Sequence, residues 1–263
     1  VTTATGDRVA YDLYPSGTAG GTALVFVAGA GPFRATDPVT TETAERAAAL
    51  GVTTLVFDRL GRGESPATGR LDLDRELAAV DAAIDVVGGK AALCGHSSGC
   101  AISLRAATRP GAAGERVSAL ALWEAPLEST AEETQDWADE IERRIDACDL
   151  AGATEHFMKD MPPEWLAGAK ASPDWGRIAA SVVSQRADAQ ALAWAQRALD
   201  DAALAPPVPV LATYGAETFP GMPEAAERIA SVVPDGTAEQ LPGAGHTWEP
   251  ESMARRLATF LTT

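Results

Sequence analysis

Short apolar runs alternate with amphipathic stretches along most of the chain. Ala23 to Val27, Thr53 to Phe57, Ala91 to Cys94 and Val117 to Trp123 are near-continuous apolar segments of strand length, the pattern of strands buried on both faces. Val9 to Leu13 alternates in part and predicts an early strand. Between these runs, Thr40 to Leu50 and Leu71 to Val87 have helical periodicity and stop at Gly51 and at Gly88-Gly89, which suit helix C-termini. A further helical stretch, Ala101 to Thr108, follows the fourth run. Strands alternating with helices through right-handed crossovers predict an α/β chain whose mostly parallel central sheet is covered by helices on both faces.

The rhythm breaks after Trp123. From about residue 128 to 203 the chain is helical in pattern, carries Trp137, Trp165, Trp175 and Trp194, and has no convincing strand. Strand and helix then resume with Pro209 to Tyr214, Pro223 to Val233, Ala238 to Leu241 and Glu251 to Leu261. The expected organisation is a core domain built from 1–126 and 205–263, with 127–204 inserted as a helical cap over the strand ends. The proline-rich segment Leu204 to Pro209 is the stiff return from cap to sheet.

With 263 residues, 46% hydrophobic and 22% charged, the chain reads as an ordinary globular protein. A formal net charge of −16, from 37 acidic against 21 basic residues, repels polyanions, so nucleic acid is not an expected partner. No apolar stretch approaches the roughly 18 residues of a membrane span, and Val1 to Arg8 shows no basic-then-apolar leader. Three cysteines, two of them in apolar company at Cys94 and Cys100, fit a reducing, cytoplasmic setting. Three histidines with no two at ligand spacing argue against a zinc site. A homodimer stays open.

Gly95-His96-Ser97-Ser98-Gly99 lies between an apolar strand and a helix. This is the nucleophile-elbow pattern: a serine on a tight strand-to-helix turn, with flanking glycines that let strand and helix approach, and the next N–H at the helix start where negative charge is welcome. A serine nucleophile needs a base, and His246 follows the turn-rich Leu241-Pro242-Gly243-Ala244-Gly245 after the last strand. His96, inside the elbow, reads as a packing residue, and His156 reads as part of a solvated helix face among Glu155, Lys159 and Asp160.

These motifs resemble those of the α/β-hydrolase superfamily, and so do two others: Val27-Ala28-Gly29-Ala30-Gly31-Pro32, and Asp58-Arg59-Leu60-Gly61-Arg62-Gly63-Glu64-Ser65, which matches the family's D-x-x-G-x-G-x-S loop. The resemblance covers nearly all of the chain apart from the cap and implies an α/β-hydrolase fold with an inserted helical cap. It implies an oxyanion hole made by the N–H groups of Ser98 and Ala30, although Ala28 stands where relatives commonly have histidine. The acid is less direct. Relatives often place an aspartate three residues after the glycine corresponding to Gly215, but here that position is Thr218. A minority carry a glutamate at the end of the strand after the elbow helix, where this chain has Glu124; Glu217 is the alternative. Asp58, Arg59 and Arg62 read as structuring their own loop, with an anion contact as the other reading for the two arginines.

Ser97, His246 and Glu124 together imply a serine hydrolase, cleaving a carboxylic ester or lactone through an acyl-enzyme. No metal or organic cofactor is required. Serine at position 97 argues against the dehalogenase and epoxide-hydrolase branches, whose nucleophile is a carboxylate. The apolar cap residues suggest a small to medium, largely apolar substrate, with Gly29, Trp123, Met161 and Trp165 as expected contacts. A cofactor-free lyase, cyclase or perhydrolase, a slow-turnover receptor and an inactive relative are the rival readings on the same scaffold.

Overall fold

The computed structural model describes residues 1–17 and 21–262. Among them the strands are β1 (Tyr11–Tyr14), β2 (Ala23–Val27), β3 (Thr53–Phe57), β4 (Ala91–His96), β5 (Val117–Trp123), β6 (Val210–Glu217), β7 (Gly236–Ala244) and β8 (Thr247–Trp248). They form one sheet in the order β1-β3-β2-β4-β5-β6-β7-β8. Pairing is parallel through the middle and antiparallel only at the two edges, β1 with β3 and β7 with β8. The mostly parallel sheet expected from the apolar runs is therefore present. Its edge strand β1 is shifted toward Tyr14, and β8, a two-residue strand, was too short to leave a periodic signal.

Successive residues on a strand face opposite sides, and each side has its own core. Val25 and Val27 of β2, Leu93 of β4, and Leu120 and Leu122 of β5 pack on one face. That face is covered by α2 (Leu73–Val86) and α3 (Ser98–Ala107). Leu24, Phe26, Ala92, Cys94, Ala121 and Trp123 point the other way, toward α1 (Pro38–Ala49), the first helix of the chain, and the C-terminal helix α11 (Pro250–Thr262). A single-turn helix, α4 (Ala112–Glu115), precedes β5.

Between β5 and β6 come α5 (Ala131–Asp146), α6 (Leu150–Phe157), α7 (Pro163–Ala171), α8 (Trp175–Ala180) and α9 (Arg186–Asp200). A capping box in which Thr130 and Glu133 satisfy each other's backbone starts α5. The last of these helices has two apolar faces: Ala191, Leu192, Ala195 and Leu199 join the core of the sheet, while Ala189 and Ala193 join a smaller core with Ala138, Ile141, Ile145 and Phe157. By contrast α7 buries no residue. Following β6, α10 (Met222–Val232) leads to β7. No helix among the described residues is long and apolar enough to cross a membrane.

The turn from β4 into α3 is possible only because two positions lack a side chain. A Cβ on Gly99 would lie 2.1 Å from the Val27 carbonyl oxygen, and one on Gly95 would lie 2.6 Å from Cys100 Cα. Both obstacles are backbone and cannot swing aside. Gly99→Ala is therefore expected to destabilise the fold by about 3 kcal/mol in urea unfolding. Gly168→Ala, in α7 where a Cβ meets nothing within 4 Å, should be neutral or stabilising by up to about 1 kcal/mol; equal behaviour of the two variants would contradict the packing argument.

Candidate active site

Among the described residues, five that are not glycine have positive φ: Ser97 (54°), Glu124 (48°), Cys148 (59°), Ala202 (50°) and His246 (71°). Cys148 and Ala202 sit just past α5 and α9, where a left-handed residue commonly ends a helix. The remaining three are the elbow serine, the strand-end glutamate and the loop histidine. Such conformations cost on the order of 1–3 kcal/mol each and cluster at functional sites.

Each of the three is produced by its local sequence. Ser97 (ψ −127°) joins β4 to α3, with its N–H donating to the Trp123 carbonyl (2.9 Å) and its own carbonyl receiving the Cys100 N–H (2.9 Å). Glu124 ends β5, and its N–H donates to the Thr213 carbonyl on β6 (2.9 Å). His246 sits with Gly245 (φ 57°) in the two-residue turn of the β7–β8 hairpin, and positive φ at both central positions is what such a tight turn requires.

The structure brings Glu124 and His246 together. His246 Nδ1 lies 2.5 Å from Glu124 Oε2, and the other carboxylate oxygen accepts the Gly215 N–H at 2.9 Å. Glu124 is only 1% exposed. Burial pushes its carboxyl up, but the hydrogen bonds from His246 and the Gly215 N–H hold it below the ordinary glutamate value. An ionised carboxylate can only accept, so it takes the Nδ1–H of the ring, and in the neutral imidazole Nε2 is then the nitrogen with the lone pair. Glu217, the alternative acid, has an exposed side chain; its contribution to the turn is its carbonyl, which accepts the Gly245 N–H at 3.2 Å.

Two side chains hold the backbone of His246. His96 Nε2 and Trp123 Nε1 both donate to its carbonyl, at 2.9 Å and 3.2 Å. The His96 and His246 rings also pack with centroids 4.9 Å apart, which joins the serine elbow to the histidine turn. Burial, reinforced by His246, brings His96 down to about 4, so it is neutral at ordinary pH. Trp123 is fully buried and meets Trp248 edge-on at 5.6 Å. Expected as a substrate contact, Trp123 has no exposed face here, and its indole supports the turn.

Gly29 lies against Ser97, since a Cβ there would come 2.9 Å from Ser97 Cβ and 3.5 Å from Oγ. The N–H groups of Ala30 and Ser98 have no acceptor among the described residues, as required of oxyanion donors. Ala30 and Met161 are both packed against the smaller helical core. Trp165, 40% exposed, meets Phe219 edge-on at 5.9 Å, and Phe219 in turn packs 5.8 Å from the His246 ring. Phe219 was not singled out by sequence because an isolated aromatic in the loop after a strand carries no pattern. His156 is half-buried, with its Nε2 shielded and its carbonyl accepting the Trp137 indole N–H, so its face is only partly solvated.

Asp58 accepts the N–H groups of Arg34 and Glu64, both at 2.8 Å, and thus shapes its loop as expected. Arg59 and Arg62 reach further. Arg59 is fully buried; it donates to the carbonyls of Ala28 (3.0 Å) and Gly29 (3.3 Å) and pairs with Glu76 (3.0 Å) and Asp188 (2.6 Å). Arg62 donates to the Gly29 carbonyl (2.5 Å), to Ser184 Oγ (3.2 Å) and to Asp188 (2.7 Å). Asp188, on α9 and also fully buried, accepts the Ser98 hydroxyl at 2.6 Å. Burial, then the neighbouring Arg59, lowers Arg62 to about 10, and the two arginines outweigh burial in holding Asp188 below its ordinary value. Both therefore stay charged near neutral pH. Nothing in the sequence near Asp188 distinguishes it from a surface acid, which is why it was missed.

Residues 24–260 match the family model described as the alpha/beta hydrolase family. The chain belongs to that family. This alpha/beta hydrolase is similar to a solved alpha/beta hydrolase from Sphaerobacter thermophilus, with 25% identity, a TM-score of 0.76, and 99% of this chain and 98% of that one covered. It shares its fold with an enol-lactonase from Burkholderia xenovorans (16% identity, TM-score 0.61, 100% and 99% covered). The same holds for a haloalkane dehalogenase variant from Bradyrhizobium elkanii (21%, 0.64, 98% and 93%). No curated protein matches the chain.

The shift of His96 has a consequence for this hydrolase. A histidine whose folded value lies near 4 and whose unfolded value is about 6.5 contributes stability that is present above pH 6.5 and lost as pH falls toward 4. The contribution is no more than about 3 kcal/mol. His96→Asn should flatten the decline of the unfolding midpoint between pH 7 and pH 4.5 relative to wild type; parallel curves would show that His96 does not titrate differently on folding.

Proposed function

We propose that the protein hydrolyses carboxylic esters or lactones of small to medium, largely apolar acids and alcohols, with Ser97 as nucleophile, His246 as base and Glu124 as the orienting acid. The observation that carries this reading is the 2.5 Å contact between His246 and the buried Glu124, taken together with a serine on a positive-φ elbow.

In this reading Ser97 Oγ attacks the carbonyl carbon as His246 Nε2 takes its proton. The oxyanion forms against the Ala30 and Ser98 N–H groups, preorganised donors of the kind whose removal typically costs about 3 kcal/mol of barrier. Collapse of the tetrahedral intermediate expels the alkoxide, which receives the proton from His246, and leaves Ser97 acylated. Water, deprotonated by the same nitrogen, then releases the acid and restores the hydroxyl. Glu124 keeps the proton on Nδ1 throughout. The Trp165 and Phe219 rings near His246 favour an apolar substrate, and the helices of 127–204 act as its cap. The elbow serine disfavours dehalogenase chemistry, and three free thiols favour a reducing, cytoplasmic setting.

A panel of nitrophenyl esters and lactones tests the proposal. Ser97→Ala should lower kcat at least about a thousandfold without loss of fold; turnover retained in that variant refutes the assignment. Glu124→Gln should lower kcat by about three to four orders of magnitude, because the wrong tautomer disables the base. Glu217→Gln should stay within about tenfold of wild type.

A further inference from the structure

We infer that Asp188, acting with Arg59 and Arg62, is a positioning residue that holds both oxyanion donors in place, so that the docking of α9 sets the competence of the hole. The inference rests on the proposed acyl-transfer chemistry. Its basis is where the cluster's hydrogen bonds go. A group of ions that merely joined a helix to the sheet would need only to pair with itself. Here the two guanidinium groups also take the carbonyls of Ala28 and Gly29, and the carboxylate between them takes the hydroxyl of Ser98.

Peptide planarity turns this into a statement about the site. The chain has no cis peptide bond among the described residues, and in a trans peptide the N–H points opposite to the preceding C=O. With the Gly29 carbonyl fixed toward Arg59 and Arg62, the Ala30 N–H is directed away from the arginines. Left alone, this peptide would be free to turn over, because one of the two dihedrals that rotate it belongs to Gly29, which lacks a side chain. Turned over, it would present a carbonyl lone pair in place of a donor. At the other donor, the Ser98 hydroxyl bond to Asp188 fixes the first residue of α3, whose N–H points from the helix N-terminus.

The charges close on themselves. Arg59 and Arg62 face Glu76 and Asp188, all buried, so removing one member leaves an unmatched buried charge beside the arginines that hold the Gly29 carbonyl. Asp188 is the only one of the four carried by the helical insertion.

The test measures kcat, KM and two inhibitors in wild type, Asp188→Asn, Arg62→Lys and Ser97→Ala. One inhibitor is a trifluoromethyl ketone, which adds to the serine and forms an oxyanion; the other is the matching unreactive ether. In the positioning variants kcat should fall about a hundredfold, as for loss of one oxyanion donor, with KM within about threefold. Ketone affinity should fall by a similar factor while ether affinity holds. If Asp188→Asn does not fold, the charge-conserving Arg62→Lys carries the comparison. A folded variant with wild-type kcat, or one that loses ketone and ether affinity equally, overturns the positioning role. Wild-type turnover persisting in Ser97→Ala overturns the acyl-transfer reading instead, so the two failures are distinguishable.

Discussion

Three backbone positions forced into left-handed conformations, Ser97, Glu124 and His246, govern how this protein is put together. None is a glycine, so each must be held by its surroundings. The parallel register supplies the first restraint: His96 lies opposite Trp123, and Trp123 opposite Thr213, so β4 and β5 end level with each other alongside the middle of β6, where neighbouring strands can tie their last residues. The Ser97 N–H is fixed by β5, and the Glu124 N–H by β6. His246, at the tip of a hairpin on the sheet's far edge, is held by its carbonyl through His96 and Trp123 and by its ring through Glu124. The strands are close-packed on both faces because the register must not slip by even one residue: a slip would exchange the two core faces and separate the three residues.

A second level of organisation is polar. The main sheet face and the smaller helical core meet along α9, whose apolar residues serve both. Hydrophobic contact alone would leave that helix free to settle in several nearly equivalent positions. The buried ions at Arg59, Arg62, Glu76 and Asp188 are directional, and buried pairs of this kind gain little net stability because desolvation offsets attraction. Their value here lies in geometry, in fixing the helix against the Gly29 loop and the start of α3.

Much of this was legible in the sequence, and the reasons are physical. The central strands announced themselves because burial on both faces demands continuous apolar runs, and β2, β3 and β5 begin and end where those runs do. The elbow was legible because close packing leaves glycine as the one residue that fits at positions 95 and 99. Glu124 stood out as a carboxylate closing an apolar strand, a placement that is costly without a partner. What escaped notice depends on contacts between distant residues. Asp188 meets Ser98 ninety positions away, and Trp123 differs from a pocket-lining tryptophan only in what the β7–β8 hairpin places against it. That hairpin, with a two-residue strand after its turn, is too short for periodicity to mark.

The central claim is that Ser97 carries the acyl group between the two half-reactions. Rapid quenching of the wild-type protein with a nitrophenyl ester in the first turnover, followed by peptide mass spectrometry, tests it directly. The account predicts a single acyl addition on the peptide containing Ser97, absent in Ser97→Ala. Acylation of a different residue, or full turnover with no acylated protein at any time despite a burst of nitrophenol, would contradict it.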